Sequence, residues 1–105
     1  MKEMIEFIES SGFVITNRWI NKNTAGMILT EREVIVINLP LFVASTFIHE
    51  FYHDKYPNLS EKQIEKKENN KIKHLTVEQI HKLSKLIVTA IIGGKDDAEE
   101  RLGRD

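Results

Sequence analysis

The alternation of apolar and polar residues divides the chain into a short helix, three strands and a set of longer helices. Met4, Ile5 and Ile8 recur at helical spacing, and Gly12 lies where a C-terminal helix cap is expected. Three segments rich in β-branched and aromatic residues follow at 13–20, 25–31 and 33–39. The polar turns between these segments are short, which favours an antiparallel meander.

After the third strand the hydrophobic period becomes that of a helix. Val43, Phe47 and Phe51 fall on one face, which we expect to be the main apolar stripe of that helix. Pro57 disfavours helical geometry at the residue before it, so the helix is predicted to end at Tyr56.

Two later helices are predicted to begin with the same capping device. Ser60 and Gln63 have the spacing of a capping box, and so do Thr76 and Gln79. The last long helix continues to the glycine pair at 93–94. The sequence therefore predicts an α+β fold, in which an N-terminal helix, a three-stranded and mainly antiparallel sheet, and two or three further helices pack with the helices against one sheet face.

Composition narrows the class of protein. The 105 residues suit a single domain, and a formal net charge of −1 argues against nucleic acid or an anionic membrane as a partner. The chain has no cysteine, so any transition-metal site must use histidine and carboxylate ligands. The N-terminus lacks the apolar segment of a secretory signal, and no apolar run is long enough to span a bilayer. We expect a cytoplasmic protein with one domain at 1–94 and a polar C-terminal tail at 95–105.

The most informative motif lies in the helix that follows the strands. His49, Glu50 and His53 fit the pattern H-E-x-x-H, which places two imidazoles one helical turn apart on the same face. Two neutral imidazoles and a carboxylate suit Zn²⁺ and leave one position open for water. Glu50 points to one side of the pair, where it can take a proton from a water that the zinc activates and pass it to the leaving amine.

A third zinc ligand is required, and several carboxylates follow the motif. The candidates are Asp54, Glu61, Glu65 and Glu68. Glu61 and Glu65 are four residues apart near the start of the next predicted helix, so both lie on one face of it. One of them can bind zinc while the other accepts a hydrogen bond from a ligand histidine.

The segment "HEFYHDKYPNLSEKQIE", residues 49–65, resembles the gluzincin zinc peptidases. In that family a glutamate helix follows H-E-x-x-H and carries the third ligand and, four positions later, an acidic residue outside the ligand set. The resemblance implies Glu61 as the ligand and Glu65 as the outer acid. The outer residue is commonly Asp, so Glu65 is a departure, and Glu65 as the ligand stays an alternative. Length and element order most resemble the minigluzincins, small versions of the catalytic core of CAAX-protease-type membrane metallopeptidases.

The resemblance also bears on the polar tail at 95–105. Minigluzincins resemble zymogens in which a terminal segment blocks the cleft. The tail contains four carboxylates, at Asp96, Asp97, Glu99 and Glu100. One of them could fold back onto the zinc and keep the protein latent. The alternative is a solubilising tail.

These observations lead to one expected function and one alternative. We expect a zinc-dependent endopeptidase of gluzincin type, with residues 1–94 as the catalytic domain. Zn²⁺ is the expected cofactor, held by His49, His53 and Glu61, and Glu50 is the expected catalytic residue. The expected partner is a peptide or unfolded protein, and weak homo-oligomerisation is left open. The alternative is a zinc- or peptide-binding module without turnover.

Overall fold

A computed structural model of the chain describes residues 1–103. The helices in this part of the chain are α1 (Lys2–Ser10), α2 (Leu39–Lys55), α3 (Glu61–His74), α4 (Val77–Gly93) and α5 (Lys95–Leu102), with a short 3₁₀ helix at Thr30–Arg32. The strands are β1 (Val14–Asn17), β2 (Gly26–Leu29) and β3 (Val34–Ile37). The predicted α+β class and order of elements are confirmed.

The sheet is mixed, so the predicted antiparallel meander is wrong in its pairing. The strand order is β1-β3-β2, with β1 parallel to β3 and β2 antiparallel to it. The three strands alternate in direction as a meander would, but β3 lies between the other two. Strand β3, with the sequence "VIVI", is the most buried of the three strands. A continuous apolar sequence is typical of a central strand, because both of its faces can be covered. The longer connection at 18–25 leaves room for β3 to enter beside β1.

The hydrophobic core lies between helices rather than between helices and the sheet. Its buried residues are Leu41, Ala44, Ile48, Ile72 and Ile80, from α2, α3 and α4. The prediction that the helices cover one sheet face is therefore wrong, since Val36 is the one buried strand residue in the described chain. The predicted stripe of α2 is also wrong, because Phe47 and Phe51 are exposed. The buried stripe is the one through Ala44 and Ile48, which frees another face of α2 for polar residues.

Both predicted capping boxes are present. The Ser60 hydroxyl accepts from the backbone N–H of Gln63, whose side chain accepts from the N–H of Ser60, and Thr76 and Gln79 make the same pair. These bonds satisfy N–H groups that the first turn of a helix leaves free. The capping box at Ser60 therefore determines which residue begins α3, and that residue is Glu61.

A buried asparagine anchors the beginning of α2. The side-chain oxygen Oδ1 of Asn38 accepts a hydrogen bond from the backbone N–H of Leu41. The side-chain Nδ2 donates to the backbone carbonyls of Asn21 and Thr24, each at 3.1 Å. Asn38 is fully buried, so its side-chain amide depends on these protein partners rather than on water. This contact joins the loop after β1 to the helix that carries the H-E-x-x-H motif.

Replacing Asn38 with alanine is expected to lower the free energy of unfolding by about 2–3 kcal/mol, because it removes a helix cap and the two hydrogen bonds that the buried amide makes to backbone carbonyls. Urea unfolding followed by circular dichroism measures the change. Asn69→Ala is the matched control, since Asn69 is exposed on α3 and its loss should cost under about 0.5 kcal/mol. Equal losses in the two variants would contradict the anchoring role.

The C-terminal region continues as helix beyond the glycine pair. Helix α4 ends at Gly93 as predicted, and α5 occupies most of the segment predicted as a polar tail. Residues 104 and 105 of that segment lie outside the described residues. Within residues 1–103, no helix combines the length and apolar character needed to cross a membrane.

Candidate metal centre

Helix α2 brings the two histidines of the motif together. His49 and His53 are one turn apart, and their Nε2 atoms lie 3.1 Å from each other. Both side chains are half-buried, with His49 18% and His53 33% exposed. The pair lies on the face of α2 that turns towards α3, since both histidines contact a residue of α3.

Glu61 completes a cluster with the two histidines. One of its carboxylate oxygens lies 3.1 Å from Nε2 of His49, and the other contacts Nε2 of His53. The turn after α2 reverses the chain, and the capping box at Ser60 places Glu61 in the first position of α3. Its side chain is 65% exposed, so the cluster is open to solvent on the side of Glu61.

The cluster fits the ligand set of zinc. Ligand atoms about 2.0–2.2 Å from a tetrahedral ion are separated from one another by about 3.3–3.5 Å. The Nε2–Nε2 distance of 3.1 Å and the 3.1 Å from His49 to Glu61 are close to that spacing. Two imidazoles and one carboxylate are also the donor types that catalytic zinc sites use. His49, His53 and Glu61 could therefore hold one zinc ion with small adjustments of their side chains.

Glu50 lies beside the two histidines, close enough to reach an ion between them, and within the described residues it forms no ion pair with either ring. One carboxylate oxygen of Glu50 and one ring nitrogen from each histidine lie within 4.8 Å of one another. The Glu50 side chain is exposed, whereas Glu61 contacts Nε2 of both histidines. This arrangement leaves the Glu50 carboxylate accessible to solvent beside the two imidazoles.

Glu68 forms a hydrogen bond with Nδ1 of His49, the ring nitrogen that faces away from Glu61. Its Oε1 accepts a hydrogen bond from Nδ1 of His49 at 2.8 Å, and its Oε2 accepts one from the Ser45 hydroxyl. The bond with Glu68 raises the pKa of His49 above its ordinary value, partial burial opposes this rise, and the charge of Glu61 adds to it. The Glu68 side chain is only 14% exposed. It therefore orients His49 from the side opposite the metal position.

Glu68, rather than the predicted Glu65, is the carboxylate that accepts a hydrogen bond from Nδ1 of His49. Glu65 is exposed, and in the described residues no ion pair joins it to His49 or His53. The reason is helical phase: Glu68 lies four residues after the buried Ile64 and four before the buried Ile72. It therefore shares the face of α3 that packs on α2. A carboxylate between two core positions was a signal in the sequence for this role.

The remaining candidates lie outside the cluster. Asp54 is exposed on α2, and within residues 1–103 the ion pairs of the histidines involve only Glu61 and Glu68. The tail carboxylates at 96–100 lie on α5 and are likewise exposed. The assignments of Glu61 as ligand and of the tail as inhibitor stay predictions.

No protein-family model matches the chain, and the comparisons with curated proteins and with solved structures found no significant match. The resemblance to the gluzincins consequently rests on residues 49–65 and on the order of elements. Membership of that family stays a prediction.

Proposed function

We propose that this protein is a zinc-dependent metallopeptidase of gluzincin type. The observation that supports this most strongly is the convergence of His49, His53 and Glu61, with Glu50 free beside them. A site whose purpose was only to bridge two helices would not need the H-E-x-x-H spacing and a free neighbouring carboxylate. The exposed side at Glu61 suits access by a peptide or an unfolded protein.

The proposed mechanism assigns one task to each side chain. Bound zinc would lower the pKa of a coordinated water to about 7 and so supply a nucleophile at neutral pH. His49, His53 and Glu61 would hold the metal, and Glu68 accepts a hydrogen bond that orients the ring of His49. The Glu50 carboxylate accepts the proton of the attacking water and returns it to the nitrogen of the leaving amine.

Latency through the C-terminal segment is part of the same proposal. In the described residues 95–103 the acidic side chains lie on α5, and none of them forms an ion pair with His49 or His53. Inhibition would require this segment to change position and offer a carboxylate to the zinc. Support for it comes from the acidic composition of the segment and from the resemblance to zymogens. A cytoplasmic location is proposed with it.

One experiment tests the proposal. Protein purified without a histidine tag should contain close to one zinc ion per chain, measured by atomic emission spectroscopy. The His53→Ala variant should contain no zinc. His74→Ala is the matched control, because His74 is an exposed helical histidine on α3 and should keep full zinc content. Cleavage of a quenched fluorescent peptide library should accompany zinc binding and should increase in a chain that ends at Gly94.

Each result of this experiment has a distinct meaning. Zinc binding without cleavage in either chain would favour the alternative of a binding module without turnover. Equal cleavage by the full and shortened chains would contradict latency alone. A zinc-free protein that does not take up added zinc would overturn the metal site and the peptidase together.

A further inference from the structure

Ser45 occupies a position that the proposed mechanism does not use. It lies one turn before His49 on α2, and its hydroxyl donates to Oε2 of Glu68. The other oxygen of the same carboxylate accepts from Nδ1 of His49. Ser45, Glu68 and His49 thus form a chain of two hydrogen bonds that crosses from α2 to α3 and back.

The chemistry of a carboxylate determines which group donates in each of these two hydrogen bonds. An ionised carboxylate only accepts hydrogen bonds, so Glu68 favours a hydrogen on Nδ1 of His49 and Glu61 favours one on Nε2. The contact with Glu68 is shorter, at 2.8 Å against 3.1 Å, and the Glu68 side chain is 14% exposed against 65% for Glu61, so the geometry favours the hydrogen of a neutral His49 on Nδ1. The lone pair of that ring is then on Nε2, the atom that faces Glu61 and His53. This is the tautomer in which His49 can bind a metal through Nε2.

Ser45 contributes by limiting the freedom of Glu68. A glutamate side chain has three rotatable bonds, and one hydrogen bond to a histidine leaves its carboxylate able to turn. A second bond on the opposite oxygen holds the carboxylate in one plane and directs Oε1 at Nδ1. Ser45 and Glu68 are both partly buried, so water competes weakly for these atoms.

We propose that Ser45 is a positioning residue for the metal centre, which acts through Glu68 to hold His49 in its Nδ1–H tautomer with Nε2 directed at the metal. The role in metal binding rests on the proposed function. The preference for Nδ1–H does not, because the hydrogen bonds to Glu68 exist without metal and can be tested once the competing carboxylate of Glu61 is removed.

The first measurement uses zinc-free protein with Glu61→Ala, which removes the carboxylate that faces Nε2. Two-bond ¹⁵N–¹H correlation spectra, recorded above the pKa of His49, report which nitrogen carries the hydrogen. The Nδ1–H tautomer is expected in Glu61→Ala, and a mixture with Nε2–H is expected when Ser45→Ala is added. The same tautomer ratio with and without Ser45 would overturn the proposal.

The second measurement is zinc affinity in the otherwise unaltered chain, by competition with a chelating dye. Ser45→Ala should weaken binding about 3- to 10-fold, less than the about 10- to 100-fold expected for direct partners of a ligand. Ser45→Thr keeps the hydroxyl and should bind within about twofold of the unaltered chain. Thr46→Ala removes the neighbouring, exposed hydroxyl of the same helix and should leave affinity unchanged.

The two measurements separate the two proposals. A tautomer that depends on Ser45 in a protein that binds no zinc supports the effect of Ser45 on the ring of His49 and overturns both its role in metal binding and the peptidase. Zinc bound equally by Ser45→Ala and the unaltered chain, with no change of tautomer, overturns the positioning role and leaves the peptidase intact. Loss of affinity in Ser45→Thr as large as in Ser45→Ala would also overturn it, since the hydroxyl would then be irrelevant.

Discussion

Replacing Glu50 with glutamine is expected to leave zinc bound and to reduce the rate of peptide hydrolysis by about 100- to 10,000-fold, the usual contribution of a general acid–base group. The amide has nearly the same size as the carboxylate, so α2 should be undisturbed. It cannot accept a proton from the attacking water. The measurements are zinc content and kcat on a fluorescent peptide.

Asp54→Asn is the matched control for Glu50→Gln. Asp54 is the other acidic residue of α2 and is exposed to solvent one turn later. Its replacement should change kcat by less than about fivefold, which corresponds to the ~1 kcal/mol of an exposed charge interaction. Loss of zinc in Glu50→Gln would contradict the assignment of Glu50 as base, because it would make Glu50 a ligand. Unchanged activity would contradict it as well.

Replacing Glu61 with alanine is expected to weaken zinc binding by more than about 100-fold. The loss of a residue that only hydrogen-bonds to a ligand already costs about 10- to 100-fold, and the loss of a ligand should cost more. Glu61 is the one carboxylate within the described residues that contacts Nε2 of both His49 and His53. Its removal should leave two imidazoles as ligands and take away the carboxylate that contacts both of them. Zinc affinity measured by competition with a chelating dye tests this.

Glu65→Ala provides the comparison that distinguishes the two predicted ligands. Glu65 lies one turn further along α3 and is exposed, so its loss should weaken zinc binding by no more than about fivefold. A large loss in Glu65→Ala with a small one in Glu61→Ala would reverse the assignment. It would mean that α3 rotates when metal binds.

Local patterns were sufficient where a feature depends on neighbours in the chain. The capping boxes at Ser60 and Thr76 could be predicted because both partners lie within one turn. The pairing of His49 with His53 follows from helical spacing for the same reason. The end of α2 before Pro57 follows from the geometry of a residue that precedes proline.

Features that depend on packing between elements were predicted less well. The stripe through Phe47 and Phe51 is as apolar as the one through Ala44 and Ile48, and only contact with α3 and α4 selects the second. The order β1-β3-β2 likewise depends on burial of β3 between its neighbours. Periodicity identifies faces and strands but does not say which of two apolar surfaces finds a partner.

In the candidate site, too, local patterns predicted some features and packing between helices decided the others. Helical spacing paired His49 with His53, and the capping box at Ser60 put both Glu61 and Glu65 at the start of the next helix. The preference for Glu61 came from the resemblance to gluzincins. The choice of Glu68 over Glu65 as the partner of His49 came from how α3 lies against α2, because that packing turns the face of Ile64 and Ile72 inward and carries Glu68 with it. Sequence patterns act within a helix, whereas the partner of a histidine on one helix is set by the rotation of another.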